Sequence, residues 1–296
     1  MKNKIKKVLI LGASGMLGSA VYDVLKEKYK LVLTFRDLKE KELLEAKYGG
    51  TGNHQSEELD LKFVYQDYLD KKGDPGEYFN SFLKRAGEID FVINAIGITI
   101  PFSLKDPAST FFINSAFPFI LSNVFGSHLI HITTDCVFNG REGAPYNEDS
   151  PKTPYDIYGF SKALGEPTNC LTLRTSIVGR ELQGFTSLLE WFLQQKGKTV
   201  DGFTQHFWNG ITTREFGKIC DKIMEHRGHY PESGIYHIFS TTLSKYDMLI
   251  KFQKKYSIDC EIIPDDSNEA DRTLSTIYPL CSQLDIPSFD EMLENL

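Results

Sequence analysis

VLILGASGMLGSAV, Val8–Val21, is the stretch whose reading decides the fold. Four apolar residues lead into glycines spaced G-x-x-G-x-x-G (Gly12, Gly15, Gly18) and then into an apolar-periodic run, the order expected of a strand, a tight turn and a helix. Gly12 and Gly15 let the backbone turn tightly and bring N–H groups against a pyrophosphate at the positive helix end, while Gly18 lets the helix pack closely on the strand. Ser14, Met16 and Leu17 belong to the same cradle. The following helix, about Gly15 to Lys28, carries Leu17, Val21, Val24 and Leu25 on one stripe.

Outward from this unit, Lys7–Leu11, Leu31–Phe35, Phe63–Gln66, Phe91–Asn94 and Leu129–Thr133 read as strands separated by amphipathic segments. That alternation predicts an α/β fold, a Rossmann-like doubly wound parallel sheet with helices on both faces. Beyond about Gly179 the rhythm loosens. Residues 1–178 are therefore assigned to a dinucleotide-binding domain and 179–296 to a smaller C-terminal substrate-binding lobe, with 234–240 (GIYHIFS) returning to the main sheet and Gly197–Gly210 irregular.

Composition narrows the function. At 296 residues, 41% hydrophobic and 25% charged, the chain reads as an ordinary globular protein. A net charge of −7 speaks against a nucleic-acid partner, which needs a basic face. The five cysteines, Cys136, Cys170, Cys220, Cys260 and Cys281, include no C-x-x-C pair, so no metal site is expected and a reducing, cytoplasmic compartment fits. The basic start (Lys2, Lys4, Lys6, Lys7) precedes an apolar run too short for a secretory signal, and no segment reads as a membrane span.

Two further constellations carry chemistry. Tyr158 and Lys162 stand at i and i+4 of a helix, where an ammonium beside a phenol would lower the phenol's pKa and make it an acid; alone, the pair could equally be a core tyrosine and a solvated lysine. The strand His131–Thr133 runs into Thr134, Asp135 and Cys136 at the sheet's C-terminal edge, where open sheets bind ligands. Thr134 is a candidate partner for a substrate carbonyl and Asp135 for a sugar hydroxyl, or the two simply cap the next turn. At the end of the second strand, Arg36 could grip a 2′-phosphate, which predicts NADPH over NADH; the alternative has Arg36 in solvent and Asp37 on the ribose.

TTDCVFNG, PYNEDSPKTPYDIYGFSKALGE and LRTSIVG, in this order, resemble the extended short-chain dehydrogenases, and among them the dTDP-4-dehydrorhamnose reductase family. The resemblance runs from the glycine motif through Asn94–Gly97, the helix around Asn114, WNGITTREFGKI and GIYHIFS. It implies a catalytic set of Thr134, Tyr158 and Lys162, with Asp135 beside the substrate. It also implies a nicotinamide cofactor whose ribose meets Lys162, whose adenine lies near Asp67 and whose middle is lined by Ala95, Ile96 and Gly97. The implied activity is hydride transfer to a nucleotide-activated 4-keto-6-deoxy sugar, in a soluble enzyme for which a homodimer is a candidate assembly. Arg214 and Arg272 are candidate partners of the substrate's diphosphate. Cys136 departs from the reductases, which carry tyrosine there, and brings in an epimerase alternative; a sugar-nucleotide dehydratase is a further alternative that Cys136 counts against, since dehydratases carry Thr-Asp-Glu there, and a non-catalytic NADP-binding regulatory subunit is another.

Overall fold

The computed structural model describes residues 5–71 and 76–296. Lys2 and Lys4 of the basic start lie outside the described residues. The run that follows them, β1 (Lys7–Leu11), is an inner strand of a sheet, with Val8 to Leu11 fully buried. Strands β2 (Lys30–Phe35), β3 (Gln55–Glu58), β4 (Phe91–Asn94), β5 (Leu129–Thr133), β6 (Leu171–Arg174) and β7 (Gly234–His237) complete a seven-stranded sheet in the order β7-β6-β5-β4-β1-β2-β3. Every pairing is parallel.

Alternation along β1 explains the double cover. Val8 and Ile10 face a core shared with Leu17, Val21 and Leu25 of helix α1 (Met16–Leu25), while Leu9 and Leu11 face Val64, Phe79 and Phe117 on the other side. The first core continues through Phe216 and Ile219 into Trp208, Met248 and Phe252, so the C-terminal lobe shares its packing with one face of the sheet.

The third strand is not Phe63–Gln66. Those residues lie in helix α2 (Leu61–Asp70), capped by the Asp60 carboxylate accepting from Lys62 N at 2.9 Å, and the strand is the polar QSEE of Gln55–Glu58. An edge strand with one side in solvent needs no apolar run, so hydrophobicity pointed to the helix instead. The correction carries Asp67 with it. Asp67 sits in the last turn of α2 and accepts from Tyr78 N of the next helix at 3.1 Å, away from the sheet edge; the carboxylate just past β3 is Asp60.

Gly197–Gly210 is also more regular than expected. Thr199–Phe203 pairs with Glu261–Asp265, and His206–Trp208 lies between Leu243–Ser244 and Ala270–Asp271. Gly202 reads as a breaker but serves close packing: a Cβ there would come within 2.6 Å of the Tyr246 ring. Pro107–His128 corrects the membrane reading too, being long and apolar enough to cross a bilayer by length and composition. Here it packs on the sheet through Phe112, Phe117 and Leu121, and Asn114 and Ser115 bond to the helix Ile157–Leu164. Its outer face, with Tyr65, Tyr68 and Leu164, borders an open apolar groove of about 520 Å³.

Candidate active site

The glycine turn has the shape of a phosphate cradle. Gly12 takes φ +76°, a left-handed conformation that favours glycine, and its N–H donates to Thr34 Oγ1 at 2.9 Å. A Cβ on Gly18 would lie 2.0 Å from Gly12 O, so helix and turn can approach this closely only with glycine there. Helix α1 begins at Gly15 with no side-chain cap, leaving its first N–H groups to an anion. Met16 is half-buried and Leu17 packs into the core, so these two serve the cradle through their backbone. Across from the turn, Ile96 Cγ1 lies against Gly12, and Gly97 sits beside Asn114 Oδ1 and Lys162 Nζ. An uncapped helix end facing a glycine turn fits a dinucleotide's pyrophosphate.

Helix α3 (Ile157–Leu164) starts at Asp156, whose Oδ1 accepts from Gly159 N at 2.7 Å, and presents Tyr158 and Lys162 to the end of β5. The Tyr158 phenol lies close enough to Thr134 for that hydroxyl to lower its pKa. Thr134 Oγ1 in turn donates to Asp135 Oδ1 at 3.0 Å and accepts from Cys136 N at 3.2 Å. Lys162 Nζ donates to Ile132 O at 3.0 Å from a buried position. Thr134, Asp135, Cys136, Tyr158 and Lys162 therefore meet at one sheet edge.

Electrostatics here differ from the expectation of a softened phenol. Burial pushes the Tyr158 pKa up, with Cys136 and Asp135 adding to the rise and the Thr134 hydroxyl opposing it. Burial also pushes Lys162 down, to about 8, and raises the Cys136 thiol to about 12 with help from Asp135. Burial outweighs any lowering, and Lys162, which gives one of its N–H groups to Ile132 O, is not among the groups that shift the phenol.

Behind the site runs a polar framework that the sequence did not reveal. His131 Nδ1 accepts from Asn94 Nδ2 at 3.1 Å, and its Nε2–H donates to Gly165 O at 3.0 Å; burial first, then Lys162, keeps the ring neutral. Asn114 holds both the N–H and C=O of Ile98 at 2.9 Å and donates to Ser161 at 3.0 Å, from a π-helical turn, Phe112–Ala116. These bonds fix α3 against the strand ends. Only buried polar side chains with unsatisfied backbone opposite them could have signalled this, and such partners are remote in sequence.

The arginines separate. Arg214 pairs with Asp23 on α1, a contact between two helices. Arg272 donates to Phe138 O at 3.1 Å and to Tyr155 Oη at 2.9 Å, and its charge is felt by Cys136. Lys245, half-buried beneath the Trp208 ring and electrostatically linked to Asp135 and Cys136, is a further cation of this cleft. Arg36 is not free: it pairs with Glu40, while Asp37 caps the next helix by accepting from Glu40 N at 2.9 Å.

The parallel sheet, the glycine turn and the Thr-Tyr-Lys edge define an extended short-chain dehydrogenase/reductase. Residues 77–292 match the family model described as the RmlD substrate binding domain, and the chain belongs to that family. It is 26% identical to the spore coat polysaccharide biosynthesis protein SpsK of Bacillus subtilis over 59% of this chain and 64% of that one. It is 35% identical to a probable dTDP-4,6-dihydroxy-2-methyloxan-3-one 4-ketoreductase of Streptomyces antibioticus over 45% of this chain and 47% of that one. The matches thus span less than two thirds of these curated relatives. Its fold is that of the Bacillus anthracis dTDP-4-dehydrorhamnose reductase solved with NADP, at TM-score 0.68 and 19% identity over 99% and 98% of the two chains.

Proposed function

We propose that the protein reduces the ketone of a nucleotide-activated 4-keto-6-deoxy sugar, in the cytoplasm, with NADH or NADPH. A nicotinamide bound against Gly97 would supply the hydride. The chain's own residues orient and protonate: Thr134 holds the carbonyl oxygen, Tyr158 gives its proton to the alkoxide, Asp135 holds a neighbouring hydroxyl, and Lys162 holds the cofactor's ribose. The convergence of Thr134, Tyr158 and Lys162 on the C-terminal end of β5 carries this reading. Membership of the RmlD family and the names of the relatives support the substrate class. The thiol of Cys136 stays protonated at neutral pH, its pKa raised to about 12, which disfavours a carbon-acid base and hence epimerisation. The test is a turnover screen of 4-keto-6-deoxy sugar nucleotides with each reduced cofactor. Cofactor binding without oxidation by any of them would turn the reading toward a regulatory subunit.

A further inference from the structure

Three donors at the ends of β1 and β2 converge on one carboxylate. Glu40 Oε2 accepts from Ser14 Oγ and from Arg36 N, each at 3.0 Å, and Oε1 accepts from Arg36 Nε at 2.6 Å and from Gln183 Nε2 at 3.3 Å. The Glu40 side chain is 8% exposed, whereas that of Arg36 is 66% exposed. Burial alone would protonate Glu40, but the bonds and charge from Arg36 and the bond from Ser14 outweigh it and keep the group ionised. A loop hydroxyl, a backbone N–H and a guanidinium just past the second strand are the chemistry that grips a phosphate on the adenosine ribose. In this chain an internal anion already holds them, with Asp37 and Asp60 adding negative charge near Arg36.

We propose that Glu40 occupies the seat of a 2′-phosphate and makes the protein select NADH over NADPH. A free ribose hydroxyl can donate to this carboxylate; a phosphate must expel it from a buried position and surrender the neutralising partner of Arg36. The inference reverses the expectation drawn from Arg36 alone, and it rests on the reading of the cradle as a nicotinamide-dinucleotide site.

The experiment is equilibrium binding of NADH and NADPH, with AMP and adenosine 2′,5′-bisphosphate as probes lacking the nicotinamide. Wild type should bind NADH and AMP more tightly than their 2′-phosphorylated counterparts. Glu40→Gln keeps the shape and removes the charge, and should shift the ratio toward NADPH by about 10–100-fold, the range for hydrogen bonds to a charged group. Adding Arg36→Ala to Glu40→Gln should abolish that gain, while Arg36→Ala alone should leave the NADPH constant nearly unmoved. A wild-type preference for NADPH, or a ratio unchanged by Glu40→Gln in a variant that still binds NADH, overturns the proposal. Failure of wild type to bind any of the four ligands overturns the cofactor reading beneath it.

Discussion

Glu166→Gln tests the buried ion pair that anchors the site's far side. Glu166 and Arg174 expose 1% and 3% of their side chains and meet in two bonds, Nε to Oε1 at 2.9 Å and Nη2 to Oε2 at 2.7 Å. Lys152 adds a third contact at 3.1 Å, and His237 Nε2 accepts from Arg174 Nη1 at 2.6 Å while its Nδ1–H donates to Ser275 O. Glutamine preserves volume but leaves the Arg174 charge buried with only neutral partners, a loss of about 3–5 kcal/mol. At about 2.1 cal/mol/K per residue, 296 residues give an unfolding entropy of about 0.6 kcal/mol/K, so Tm should fall by about 5–8 °C. Burial raises the Glu166 pKa, but the bond and charge of Arg174 and Lys152 outweigh it and leave the folded value depressed. Its stabilisation is therefore present above the usual carboxylate range and lost as pH falls through the folded value, so the two melting curves should converge in acid. Calorimetry of Glu166→Gln and of Glu166→Gln/Arg174→Met checks the reasoning, since removing both charges should restore part of the loss. A single variant melting within about 1 °C of wild type, against the several degrees expected, would refute it.

Tyr158→Phe should cut turnover by about 10²–10⁴-fold with cofactor affinity nearly unchanged; activity within about tenfold of wild type would remove Tyr158 as the acid. With Lys162 pushed down to about 8, its charge is present below that pH and lost above it, so kcat/KM should fall as pH rises through about 8, and a profile flat to about pH 9.5 would contradict the role. Lys162→Met should weaken both turnover and cofactor binding in parallel titrations. Cys136→Ser should leave reduction largely intact, and solvent deuterium appearing beside the ketone only when Cys136 is present would establish epimerisation instead.

The proposed catalytic set was legible because its spacing is local: Tyr158 and Lys162 share a helix face, and Thr134 to Cys136 follow one strand. The central strands were legible because burial on both faces demands unbroken apolar runs, as in Val8–Leu11 and Phe91–Asn94. The polar edge strand β3 was not, and Asp67, read at a strand end, lies in the last turn of a helix instead. Arg36 shows a second limit: the residue was identifiable, but its partner Glu40 joins it only when the helix starting at Leu38 turns that side chain back toward Ser14.

The raised phenol pKa also decides which protonation state Tyr158 would bring to the proposed reduction. A general acid must hold its proton when the alkoxide forms, and burial keeps Tyr158 protonated across the whole neutral range. Donating that proton leaves a phenolate that burial, Cys136 and Asp135 disfavour. The reverse reaction asks the same residue to act as a base, and a phenolate buried beside Asp135 and Cys136 is the form this environment disfavours. Lys162 gives one of its three N–H groups to Ile132 O and keeps two for other partners. The phenolate is therefore costly in both directions of the proposed reaction, and Thr134, bonded to Asp135, is the hydroxyl beside which that charge would form.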